Sequence, residues 1–320
     1  MGIFSRIIPA LALAAITLPV SAGSLYDVPK YAAILINAET GEVMYSRKAD
    51  ETRFPASITK VMSLYVTFEE LKAGRLKETD LIRISANAAS QPPSKLGLKP
   101  GATISVADAM GIMATKSAND VSLALAEHIG GSQAGFAAKM NAAAKRLGMT
   151  GSHFVNPHGL PDARHVSTAR DISTLSRSII RDFPQRYKVF SKVAHDYQGQ
   201  AFKSHNKLLT TMPGVDGIKT GFTNAAGFTL AASAVNDGTR LIAVVLGGPN
   251  PNVRDGNVSD LLQTGFSVLT RRSKGEMTTV AANFSEPDDL SDAVLERLAS
   301  QGPAADGLVM ASPTTPTIAR

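Results

Sequence analysis

Apolar and polar positions alternate along this chain in three distinct rhythms. Tyr31 to Asn37 (Tyr-Ala-Ala-Ile-Leu-Ile-Asn) is a short, almost unbroken apolar run. It reads as a strand, with a turn from Asn37 to Gly41 and a returning strand from Glu42 to Ser46. Phe54-Pro55-Ala56 then leads into Ser57, followed by Val61, Met62, Leu64, Tyr65, Val66 and Phe68. Those residues are apolar nearly all round a helix, which predicts one buried at the centre of a domain. Gly74 ends it. From about Thr103 to Asp182 the period is helical, with segments at Val106–Thr115, Asn119–His128, Ser132–Leu147 and Thr168–Asp182. Strand character returns at Gly214–Lys219, Phe228–Ala234 and Leu241–Leu246, separated by turns at Asn224–Gly227 and Asn236-Asp237-Gly238. An amphipathic helix, Val253–Leu269, follows. Strands at both ends and helices between them predict an α/β (α+β) fold. Its antiparallel sheet joins early strands to late ones, is flanked by helices, and carries an all-helical subdomain.

The amino terminus adds a targeting signal to this picture. Arg6 precedes an apolar run from Ile7 to Val20, and Val20-Ser21-Ala22 has the small-x-small form of a cleavage site. The run is short of the roughly 20 residues that a membrane span needs. We therefore read residues 1–22 as a signal peptide, 23–272 as the catalytic domain, and 273–320 as an acidic, Pro-containing, mostly flexible tail. The expected location is outside the cytoplasm, periplasmic or equivalent, as a soluble protein after cleavage.

Composition narrows the chemistry. At 320 residues and 44% hydrophobic, the chain has ample material for a core. It contains no cysteine, which excludes disulfides, thiolate metal sites and a cysteine nucleophile. The net charge of +6 is uneven: residues 276–320 carry seven acids against two arginines, and residues 1–275 carry 31 basic against 20 acidic residues. Such a body attracts anionic surfaces or substrates. Export argues against nucleic acid as the partner.

Three motifs stand in order: Ser57-Ile58-Thr59-Lys60, Ser117-Ala118-Asn119 and Lys219-Thr220-Gly221. Ser-x-x-Lys places a hydroxyl and an amine on one helix face, at the end where unpaired backbone amides favour negative charge. A lysine activates serine only when its pKa falls from about 10.4 toward neutrality. Apolar burial beside Val61, Met62 and Leu64, with Lys219 as a second cation, would achieve that. Ser117 is suited to relay a proton, and Asn119 to hold Lys60 and a substrate carbonyl. Lys219-Thr220-Gly221 ends a predicted edge strand, which suits pairing with an extended peptide. There Lys219 and Thr220 would grip a carboxylate, Gly221 would allow close approach, and the Phe222 amide would join that of Ser57 around an oxyanion.

These motifs resemble those of the low-molecular-mass penicillin-binding proteins, the D-alanyl-D-alanine carboxypeptidases. The likeness extends to His153-Phe-Val-Asn-Pro-His-Gly-Leu-Pro161, Ser167-Thr-Ala-Arg-Asp171, Asp216-Gly-Ile218 and Gly265-Phe266, over roughly Tyr31 to Leu269. The resemblance implies a β-lactamase/DD-peptidase-like fold with Ser57 as nucleophile, Lys60 as base, Ser117 and Asn119 as the second motif, and Lys219 on the substrate carboxylate. It implies peptidoglycan stem pentapeptides ending in D-Ala-D-Ala as substrate, β-lactams as covalent inhibitors, and no cofactor or metal. The family often ends in a β-sandwich domain and an amphipathic anchor. The segment here is too short for the former and of the wrong charge for the latter, so membrane attachment is not expected. Other readings are a D,D-endopeptidase acting on cross-links, a β-lactamase-like hydrolase, and a non-enzymatic wall-binding module. The β-lactamase reading lacks its deacylating carboxylate, since no glutamate occurs from His128 to Gly275. The binding module has no need of Ser57 or Lys60. His153, His158 and His165 read as turn and packing residues of one loop. Arg254 could help hold a substrate carboxylate, but reads first as a surface arginine beginning a helix.

Overall fold

The computed structural model describes residues 30–285; the predicted signal peptide lies outside them. Strands β1 (Ala32–Asn37) and β2 (Val43–Arg47) form the first hairpin. A 3-10 turn, Ala56–Ile58, then opens into helix α1 (Thr59–Lys72). The short strand β3 (Leu81–Arg83), helix α2 (Ala86–Ala89) and strand β4 (Thr103–Ser105) lead to the helical middle. That middle comprises α3 (Val106–Ala114), α4 (Asn119–Gly130), α5 (Gln133–Leu147), α6 (Ala169–Asp182) and the short α7 (Pro184–Tyr187). A small hairpin of β5 (Ala194–Tyr197) and β6 (Gln200–Lys203) and one turn of helix, α8 (Leu208–Thr211), come next. The chain closes with β7 (Val215–Thr223), β8 (Gly227–Asn236), β9 (Thr239–Gly248) and α9 (Pro251–Ser273).

The main sheet is antiparallel in the order β2-β1-β9-β8-β7, so the first strands do join the last. Alternate side chains of one strand enter different cores. Ile34, Ile36, Val244 and Leu246 face α1 and the helical layer, whereas Leu35, Ala243 and Val245 face α9 through Leu261 and Leu262. Burial on both faces explains why β1 and β9 are apolar throughout instead of alternating. Each such Leu, Ile or Val contributes ~1.5–3 kcal/mol. Helix α1 is buried at every position from Thr59 to Phe68, as its all-round apolar sequence predicts.

Helix starts follow their caps. Ser105, Ser132, Thr168 and Asn250 each accept an amide three residues on, at the heads of α3, α5, α6 and α9. Two boundaries differ from expectation. The 3-10 turn holds Ser57, so the α-helix begins two residues after it. The residues just past 272 also pack on the body. Val280 is fully buried with the α9-side core, Phe284 meets Tyr45 edge to face at 5.2 Å, and Arg272 bonds Glu42 at 2.7 Å. These apolar anchors are too sparse to mark an element by periodicity. The remainder of the expected tail lies outside the described residues, among which no helix is long and apolar enough to cross a membrane.

Candidate active site

The head of α1 carries Ser57 and Lys60 into the seam between the sheet and the helical layer. Lys60 has no exposed surface. Its Nζ lies 3.2 Å from Ser57 Oγ, 2.8 Å from Asn119 Oδ1 and 2.8 Å from the His158 carbonyl oxygen. Three acceptors would suit an ammonium, yet burial opposes the charge and Lys219 adds to that opposition, with Asp120 acting weakly the other way. The amine is consequently held well below its usual pKa. A neutral amine has two N–H bonds, which satisfy Asn119 and His158. Its lone pair is then left for the Ser57 hydroxyl proton.

Asn119 opens α4 and is fixed by its own backbone and side chain: its amide donates to the Ser94 carbonyl at 2.7 Å and its Nδ2 to that of Pro92 at 3.0 Å. Ser117, two residues earlier, is held in the left-handed region at φ +63°. Its Oγ is buried without a hydrogen-bond partner. A strained residue with an unpaired polar atom is the mark of a functional position.

The third wall is β7. Lys219-Thr220-Gly221 lies inside this nine-residue strand, not at its end as the sequence suggested, and β7 is the free edge of the sheet. A Cβ at Gly221 would stand 2.8 Å from Ser57 N and 3.0 Å from Ala56 Cβ. The strand therefore passes directly against the Ser57 amide, which only glycine permits. Lys219 is 2% exposed, and burial together with Arg254 lowers its pKa to about 7. Thr220 is also buried, whereas Phe222 is 44% exposed and stacks on Phe228 at 4.3 Å.

Arg254 corrects the sequence reading. It is 5% exposed, bonded to Asp255 at 2.7 Å and pointed at the Thr229 carbonyl, so it is an internal cation and not a surface one. A second contributor absent from the motif reading is the loop from His153 to Pro161. Pro157 O accepts both Ser63 Oγ (2.6 Å) and Ser122 Oγ (2.8 Å), and Asn156 Oδ1 accepts Gly159 N at 2.7 Å. Those bonds present the His158 carbonyl to Lys60. Of the three histidines, His165 is buried, bonds Thr59 Oγ1 at 2.8 Å and caps the Val155 amide; His158 is buried with its Nε2 unpartnered, and His153 is exposed with its ring on the Arg164 carbonyl. Among the described residues no acidic or histidine cluster could hold a metal.

Sequence and fold comparisons agree with this geometry. The family profile for D-alanyl-D-alanine carboxypeptidases matches residues 20–250. The chain is 38% identical to the D-alanyl-D-alanine carboxypeptidase DacC of Escherichia coli over 75% of its own length and 62% of that relative. It thus spans about three fifths of the length of the curated relatives it matches, 61% in the case of DacF of Bacillus subtilis. Penicillin-binding protein 5 from Haemophilus influenzae superposes with a TM-score of 0.71 at 36% identity, covering 74% of this chain and 70% of that one. Penicillin-binding protein D2 from Listeria monocytogenes, solved in its cefotaxime-bound form, superposes at 0.64 with 32% identity, covering 72% and 94%. The chain belongs to the D-alanyl-D-alanine carboxypeptidase family, with its β-lactamase/DD-peptidase-like fold.

Proposed function

We propose that this chain is an exported serine-type carboxypeptidase that removes the terminal D-alanine from peptidoglycan stem pentapeptides. The observation that carries the reading is the buried Lys60 amine beside Ser57, its pKa held well below the usual lysine value by burial and by Lys219. Ser57 attacks the carbonyl between the two D-alanines while Lys60 takes its proton. The amides of Ser57 and Phe222 receive the oxyanion. Ser117 passes a proton to the departing amine. Lys219 and Thr220 hold the terminal carboxylate, which confines action to chain ends. Water then releases the acyl group. Residues 1–22 direct export, and the catalytic domain runs from 23 to 272, with Val280 and Phe284 beyond it packed against that body.

β-Lactams are read as covalent inhibitors that acylate Ser57 and leave slowly, because no glutamate occurs from His128 to Gly275. The test is incubation with monomeric and cross-linked muropeptides, followed by product mass analysis. Release of D-alanine from monomers supports the reading. Cleavage of cross-links alone would establish the endopeptidase alternative. Neither product, with no penicillin adduct on Ser57, overturns it.

A further inference from the structure

Away from the Ser57 pocket, α6, the turn between β1 and β2, and the end of α5 enclose a cleft of about 390 Å³. Arg146, Arg170, Arg177 and Arg181 line it with Thr174, and no acidic side chain does. Arg170, Thr174, Arg177 and Arg181 are spaced so that they form one stripe along α6. Three of the arginines have carboxylate partners at the rim: Asp50 for Arg170, Glu69 for Arg146 and Asp182 for Arg181. Asp50 is 69% exposed, so its pair with Arg170 is screened by solvent, whereas Glu69 and Asp182, at 30% and 24% exposure, hold their arginines more firmly.

Arg177 is different. Its Nε donates to the Ala38 carbonyl at 2.7 Å and its Nη2 to that of Glu39 at 2.8 Å. Among the described residues no carboxylate pairs with it, so its charge is oriented but not neutralised. Its Nε and one Nη2 proton are spent on those carbonyls, which leaves Nη1 and the uncompensated charge of Arg177, beside three further guanidiniums, to attract an oxyanion.

We propose that this cleft is a binding site for a phosphate-type oxyanion, either the free ion or the phosphate of a lipid headgroup. Titration calorimetry of the full chain with inorganic phosphate should show one saturable site. Co-sedimentation with phosphatidylglycerol vesicles, against phosphatidylcholine vesicles, provides the lipid arm. Thr174→Glu places a carboxylate beside Arg177 without disturbing its carbonyl bonds, and Arg170→Gln removes one guanidinium; each should weaken binding at least tenfold with unchanged Tm. Phosphate alone would identify the free ion, and phosphatidylglycerol alone the headgroup. Absence of binding in both arms, or binding that both variants retain, overturns the proposal.

Discussion

Two buried lysines dominate the chemistry at the scale of single residues. Lys219 titrates near 7 in the folded protein against about 10.4 in an unfolded chain. Between those values the unfolded state binds a proton that the native state does not, so stability rises with pH across that window. Lys219→Met should remove this group's share of the rise, a few kcal/mol, since a tenfold difference in proton affinity is worth about 1.4 kcal/mol, while Lys60, also held below its usual pKa, keeps its own; urea titrations of both proteins at pH 7 and 9.5 check it. Kinetics give an independent handle. Removing the charge with Lys219→Gln relieves the repulsion on Lys60 and raises its pKa. The rising limb of penicillin acylation against pH should then move to higher pH, whatever happens to its height. Gly221→Ala would press a methyl to within 2.8 Å of Ser57 N. We expect acylation to slow by roughly tenfold or more, since displacements near 1 Å at a reacting centre have effects of that size; stopped-flow with a chromogenic β-lactam measures this.

Among the elements, the loop from His153 to Pro161 connects backbone shape to reactivity. Gly159 has φ +88°, and a Cβ there would overlap the Ala56 carbonyl oxygen. Gly159→Ala must shift the loop, and with it the His158 carbonyl that orients Lys60. A loss of about 2 kcal/mol or more in stability is expected, with a fall in acylation beyond any change in Tm; urea denaturation and acylation rates report on the two separately. The loop's importance was visible in the sequence only as a string shared with a family. Its function rests on one carbonyl group, and no side-chain pattern encodes that. Strands β1, β8 and β9 and the core helix α1 were readable because each is buried on every side and therefore apolar in sequence. The pairs β3/β4 and β5/β6 were not, since three or four half-exposed residues leave no period to detect. Ser57, Lys60, Ser117, Asn119 and Lys219 were legible as spacing. The burial of Arg254 was not, because it depends on how the start of α9 lies against β8 and β9.

Considered as a whole molecule, the body is closed on the α9 side by the residues that follow that helix. Val280 fills the core and Phe284 covers Tyr45. Truncation after Gly275 should lower stability by about 2–4 kcal/mol, the burial energy of those side chains. Truncation after Ser285, which keeps both side chains, should spare that loss; differential scanning calorimetry of the two shortened chains distinguishes them. Equal losses would show that Val280 and Phe284 do not carry it.

The central helix has one more implication. The turn that opens into it holds Ser57, the proposed nucleophile, while its own length is the keel of the hydrophobic interior. Heating should therefore extinguish catalysis and dissolve the tertiary structure in the same step, with no regime of intact shape and silent chemistry between them.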